Sequence, residues 1–194
     1  MWTLAAGAAR AAQPSNDGVD PNAIDRITRD GYPDVYAAWG DGWVKRINAL
    51  MPKAAKKASA SSECDRVEYV GYSGRSTPRK TIVLYVDCTN GKRFFLSETD
   101  IHGRATPESK QGKTSRYSDD ALLRACEEGV KTKMTYPLTF RRRLTATSVY
   151  RAPGGNVSVD FVFDAKNKLG AELPYRARCV ADDQGMHTAE VTNY

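Results

Sequence analysis

From residue 32 onward, helix-period and strand-period patterns alternate along the chain, and the same order runs through twice. Tyr32, Tyr36, Trp39, Trp43, Ile47 and Leu50 recur at spacings of three and four, which predicts a helix with one apolar face, opened by Pro33 in its first turn. Gly40 and Gly42 interrupt it, each costing about 1 kcal/mol relative to alanine in a helix interior, so a bend is expected there. Pro52 kinks or restarts the helix, which then runs into Lys53, Lys56 and Lys57, cations suited to a helix C-terminus. Strands are predicted over 65–73, 80–88 and 92–97. In the middle one Ile82, Leu84, Val86 and Cys88 alternate onto one face, and Asn90-Gly91 is the signature of a type I′ hairpin.

In the second pass Ser118 caps a helix with Asp119 and Asp120 in its first turn and Lys131 and Lys133 at its end. Leu122, Cys126, Val130 and Met134 share one face of it. Strands follow over 144–151, 156–164 and 171–181. Val157, Val159, Phe161 and Phe163 alternate against Ser158, Asp160 and Asp164, and Leu173, Tyr175, Ala177 and Cys179 against Arg176 and Arg178. The expected fold class is therefore α+β, with two αβββ modules over 32–100 and 118–194, each a small antiparallel sheet covered by a helix. The segments 81–96 and 156–170 share a pattern, which fits either a duplication or the general likeness of antiparallel meanders. Polar residues from 98 to 117, with Gly103, Pro107 and Gly112, read as a connector, its core at 101–117, acting as a linker or a functional loop. Residues 13–31 read as a turn-rich tether with one short helix at 22–29.

Four cysteines, two in each half, change the picture from patterning to location. No C-x-x-C pair exists and His102 and His187 lie far apart in sequence, so a zinc site is not expected, nor any other metal or cofactor. Disulfides Cys64–Cys88 and Cys126–Cys179 are expected instead, and with them an oxidising compartment; free structural thiols in a cytosolic protein are the alternative. Cys126 and Cys179 face one core from a helix and a strand. Cys64 has the outward parity of Arg66 and Glu68, so it is expected to precede the regular strand. The N-terminus agrees with export: an apolar, alanine-rich run too short to span a bilayer leads to Ala9 and Ala11, an A-x-A cleavage pattern before Ala12. No basic n-region precedes it, so residues 1–31 read as a signal remnant or tether, with an anchor remnant or a plain helix as alternatives.

Charge and chemistry add less. With 29 Lys+Arg against 23 Asp+Glu the net charge is +6, which favours acidic partners or simply keeps the protein soluble. Gly112-Lys113-Thr114 is not a phosphate loop, because Pro107 stands where the upstream glycine is required. No G-x-S-x-G exists. Asp160 and Asp164 are expected as exposed cross-strand partners of Arg176 and Arg178 rather than catalytic carboxylates. The candidate partner-binding residues are Tyr36, Trp39 and Trp43 on the aromatic helix face, which otherwise belongs to the core, and Arg141, Arg142 and Arg143 in the basic run from Lys131. Arg75, Arg79, Lys80, Lys110, Lys113 and Arg116 would extend that run into a polyanion surface, unless all of them are solvated charge.

The sequences Cys126-Glu-Glu-Gly-Val, Tyr136-Pro-Leu-Thr-Phe, Asp164-Ala-Lys-Asn-Lys-Leu-Gly-Ala and Arg176-Ala-Arg-Cys follow one another in a helix, a step, a hairpin and a final strand. This stretch resembles a small disulfide-linked domain of uncharacterised bacterial proteins that are exported or encoded near mobile elements; Leu138 and the early Phe140 depart from that pattern. The resemblance implies the Cys126–Cys179 bridge and a bacterial envelope setting, and no activity. The expected function is a non-enzymatic envelope or secreted binding protein of accessory, inhibitor or immunity type, periplasmic or secreted, with a protein partner. A mobile-element protein that binds nucleic acid through basic loops is the alternative, and a hydrolase built on His102 or His187 the third reading.

Overall fold

Gly40 decides how the first helix is built. The computed structural model describes residues 18–194, so the cleavage pattern at Ala9 and Ala11 lies outside the described residues. Gly40 has φ +78°, a left-handed conformation that costs glycine little, and it ends α1 (Pro33–Trp39) while capping α2 (Asp41–Ser59). The expected bend is therefore a complete break, and Pro52 sits within α2 without ending it. The apolar stripe of α2, from Val44 through Ile47, Leu50, Met51 and Ala54 to Ala58, is buried on a three-stranded antiparallel sheet. Its strands β1 (Val67–Tyr72), β2 (Val83–Cys88) and β3 (Arg93–Ser97) contribute Val70, Leu84, Val86, Phe94 and Leu96 to that core.

The helix expected at 22–29 does not form, and residues 18–31 are no free tether. Val19 and Ile24 instead make parallel bridges to Val67 and Val70. Backbone hydrogen bonds Asp20–Val67, Val67–Gly18 and Val70–Ala23 occupy the outer edge of β1, while Ala23 and Ile27 are buried in the first core. Strand-edge donors and acceptors offered this segment more than an isolated helix of two turns would.

Asn90-Gly91 does not form the expected type I′ turn. Gly91 alone is left-handed (φ +77°), its N–H donates to Cys88 O, and Cys88 N–H donates to Lys92 O, the pattern of a three-residue hairpin with a glycine bulge. Asn90 keeps its negative φ because its backbone N–H donates to Asp65 and its side-chain amide to the Glu63 carbonyl. The same bonding closes Ala152–Asn156 around Gly155 and Asn167–Ala171 around Gly170.

On the solvent face of the first sheet Gly71 lies under the ring of Tyr85, its register partner. A methyl group at Gly71 would sit 2.5 Å from Cζ of that ring, so the ring must be displaced. Gly71→Ala is expected to destabilise the protein by about 1–3 kcal/mol, read as a lower urea midpoint at unchanged slope. A midpoint equal to that of the parent protein would mean that the ring does not rest there.

The second module holds α5 (Asp119–Lys131), capped by Ser118 as expected, a short 3-10 turn (Pro137–Thr139), and four strands rather than three. These are β4 (Arg141–Arg151), β5 (Val157–Lys166), β6 (Glu172–Asp182) and β7 (Gly185–Asn193), antiparallel in that order. The fold is α+β, but the second module is αββββ, because the chain turns at Gly185 and pairs once more along β6. Leu122, Cys126 and Val130 pack on Val157, Val159, Phe161, Ala177 and Cys179, a core separate from the first.

The connector is the seam between the modules rather than a loose linker. Ser97 and Asp100 cap α3 (Glu98–His102) reciprocally, and Ser109 caps α4 (Lys110–Ser115). Fully buried Ser109 also hydrogen-bonds Glu63 of the first module. On the other side Lys110 reaches Asn156, Arg151 donates to Thr114 O, and Gln111 donates to both Gly91 O and Pro153 O.

Candidate functional site

Both expected disulfides are present, Cys64–Cys88 and Cys126–Cys179, with Cα separations of 5.6 and 5.8 Å, and no cysteine is free. Cys64 precedes β1, as its parity required. Such cross-links persist where thiols are oxidised. No helix among the described residues is long and apolar enough to cross a membrane.

The aromatic helix face is mostly core. Trp39 is 1 % exposed, donates its indole N–H to the Tyr72 hydroxyl at 3.2 Å, and packs edge-on against that ring. It is therefore closed to a partner. Trp43 and Tyr36 are half-buried, and Arg46 and Arg29 lie over their rings at 5.2 and 4.9 Å.

The basic run is largely engaged within the second module. Arg142 pairs with Glu127 of α5, Lys131 with Glu128, and Arg143 makes a two-pronged bond to Asp164 at 2.6 and 2.9 Å. That bond, with burial opposing and the charges of Arg143 and Arg141 adding, holds the Asp164 carboxyl below its ordinary value. Asp164 thus pairs with Arg143, not with the β6 arginines expected, whereas Asp160 does pair with Arg176. Three of the six cations expected to extend the surface are also occupied: Arg75 by Asp182 and Asp183, Arg116 by Glu108, Lys110 by Asn156. His187 lies 2.5 Å from Asp182 on the β6–β7 hairpin, and His102 ends α3 in the other module.

A different surface stands out. The second sheet is longer than the helix covering it. Helix α5 is fastened by Cys126–Cys179 toward the Val157–Ala181 end of the sheet and ends at Lys131, and at the other end Phe163, Ala165, Tyr175 and Val191 line the floor of an open cleft of about 200 Å³. Lys133, Met134 and Thr135 form one wall, and Lys166, Asn167 and Lys168 of the β5–β6 turn the other. The Phe163 and Tyr175 rings stack at 5.5 Å, and Phe140 lies 4.9 Å from Phe163 with Lys131 above it at 5.3 Å. Thr139 accepts a hydrogen bond from Lys166 N–H at 3.0 Å, which brings the 3-10 turn beside the β5–β6 hairpin. On these two turns Leu138 and Leu169 are 100 % and 92 % exposed, and Tyr136 and Leu173 are exposed as well.

Of the basic run singled out from sequence, Lys133 lines this cleft and Arg142 is the register partner of Phe163, but Lys166, Lys168, Leu138 and Leu169 were missed as candidates. The available signal was Lys166-Asn-Lys-Leu-Gly170, in which a leucine occupies a turn position that hairpin formation does not need to be apolar. No family model, curated protein or solved structure matches the chain.

Proposed function

We propose that this chain is a non-enzymatic binding protein of the bacterial envelope or secreted fraction, and that it recognises an anionic, partly apolar partner at the open end of its second sheet. The observation that carries this reading is the cleft itself: half-buried Tyr175 and exposed Val191 lie beside the buried Phe163 and Ala165 at the sheet end, and Lys133, Lys166 and Lys168 line the same cleft. Apolar ground with a few convergent polar groups is the usual make-up of a binding site. The two disulfides support the oxidising compartment, and the first module with its seam serves as the frame that holds the second.

Titrating the oxidised protein with octyl phosphate and with octanol, followed by amide NMR, tests the reading. Shifts are expected to cluster at 133–135, 163–168 and 173–175 with the phosphate and to be much weaker with the alcohol. Equal response to both probes, or shifts centred on the first module, would remove the cleft as a binding site. Lys166→Ala/Lys168→Ala is expected to weaken the phosphate response about tenfold, from the loss of two cations beside a desolvated anion.

A further inference from the structure

The two exposed leucines have no role in a cleft that holds a small ligand, since they project from the turns beside it. Leu138 sits on the 3-10 turn and Leu169 on the β5–β6 hairpin, joined at their base by the Thr139–Lys166 hydrogen bond. Single exposed leucines are ordinary, but two nearly complete exposures on adjoining turns, with half-exposed Tyr136 and Leu173 behind them, make an apolar edge. The segments that carry them bear Lys131, Lys133, Arg141, Arg142, Arg143, Lys166 and Lys168, with no acidic residue between 129 and 143 or between 165 and 171. At the borders Glu127 pairs with Arg142, Glu128 with Lys131 and Asp164 with Arg143, and Glu172 stands opposite Lys166 across the hairpin, so Lys166, Lys168 and Arg141 carry the surface's excess positive charge.

Three kinds of occupant suit a cationic surface, and the composition separates them. A protein interface is depleted in lysine and anchored by tryptophan, tyrosine or arginine seated in pockets. A nucleic acid would use the lysines but leave the leucines in water. A lipid surface uses both: projecting leucines enter the boundary between headgroups and acyl chains, a tyrosine lies at headgroup level, and lysines meet anionic headgroups.

We propose that the open end of the second sheet docks on an anionic lipid surface, with Leu138 and Leu169 inserted at the headgroup boundary and Lys166, Lys168 and Lys133 against the headgroups. This rests on the cleft region being the binding surface and names its partner. Attachment is peripheral, through turns held by a disulfide-fastened sheet.

Co-sedimentation of the full oxidised chain with vesicles of equal parts phosphatidylglycerol and phosphatidylcholine, against phosphatidylcholine alone, reads this directly. Binding to the anionic vesicles, weakening with salt, and little to the neutral ones is expected. Leu138→Ser/Leu169→Ser should weaken it at least tenfold, and Lys166→Glu/Lys168→Glu by a similar factor or more. The same charge change at exposed Lys53 and Lys56 of α2, in the first module, should alter binding less than threefold. All these positions are exposed or on turns, and an unchanged urea midpoint verifies the fold of each variant. Absence of binding to anionic vesicles, binding indifferent to the leucines, or equal loss from the α2 variant would each overturn the inference. If octyl phosphate still perturbs the cleft while vesicles do not bind, lipid docking is wrong and the cleft remains a site for a smaller anion or an acidic protein.

Discussion

Replacing Cys126 and Cys179 together by alanine is expected to destabilise the second module by about 4 kcal/mol, the loop-closure value for a bridge 53 residues apart. Both cysteines are fully buried, one under α5 and one in the sheet beneath it. Their removal frees the unfolded chain and also loosens the only covalent tie between that helix and the strands. A small domain of this size has total stability of the same order as that loss. Amides of β5 and β6 should therefore lose most of their hydrogen-exchange protection while those of β1–β3 change little, because the two cores are separate. The matching change at Cys64 and Cys88 closes a separation of 24 residues and should cost about 3 kcal/mol, felt in the first module. Equal loss of protection in both halves after the Cys126/Cys179 change would show that the chain unfolds as one unit.

What could be read from the sequence divides along physical lines. Segments with a strong period were legible: the stripe Trp43–Leu50, the alternation Val157–Phe163, and the inward parity of Cys88, Cys126 and Cys179 all reflect burial, which periodicity measures. Strand β7 was not, because Met-His-Thr-Ala-Glu-Val-Thr offers only weak alternation at a sheet edge, where one backbone side has no strand neighbour among the described residues. Residues 22–29 misled because Ala23, Ile24 and Ile27 have near-helical spacing, whereas their conformation is set by the free edge of β1. Ser97-x-x-Asp100 was a readable cap inside a stretch otherwise treated as connector. The binding surface was illegible for a related reason. An exposed leucine at a turn and a buried one in a strand are the same letter, and only the fold shows that α5 ends before its sheet does.

The seam between the modules was hidden by distance in sequence, and it leads to the second large effect. Arg75 in the β1–β2 loop donates to Asp183 at 2.7 and 2.8 Å and to Asp182 at 3.1 Å, while its guanidinium lies 3.5 Å over the Phe95 ring. The Arg75 side chain is 19 % exposed and that of Asp183 only 3 %. Arg75→Ala is expected to cost about 3–5 kcal/mol at pH 7, since it leaves a carboxylate buried without its partner. Adding Asp183→Asn should recover part of the loss by removing that charge, so the double variant is predicted to be more stable than Arg75→Ala alone. The pH dependence carries its own sign. Burial pushes the Asp183 carboxyl up, but the hydrogen bonds and charge of Arg75, with Lys113 adding, outweigh it and hold it below its ordinary value of 3.8. A carboxylate lowered on folding contributes stability that is complete above its unfolded pKa and disappears as pH falls through the folded one. The parent protein should therefore lose the latch only in strongly acidic solution, below 3.8. In Arg75→Ala burial acts without that opposition, the carboxyl is raised, and its protonation relieves the strain as pH falls. The stability gap between parent and variant should then narrow steadily on acidification, measured by urea midpoints from pH 7 downward. A gap that stays constant with pH, or a loss under about 1 kcal/mol typical of an exposed pair, would show that Arg75 does not bind the two modules together.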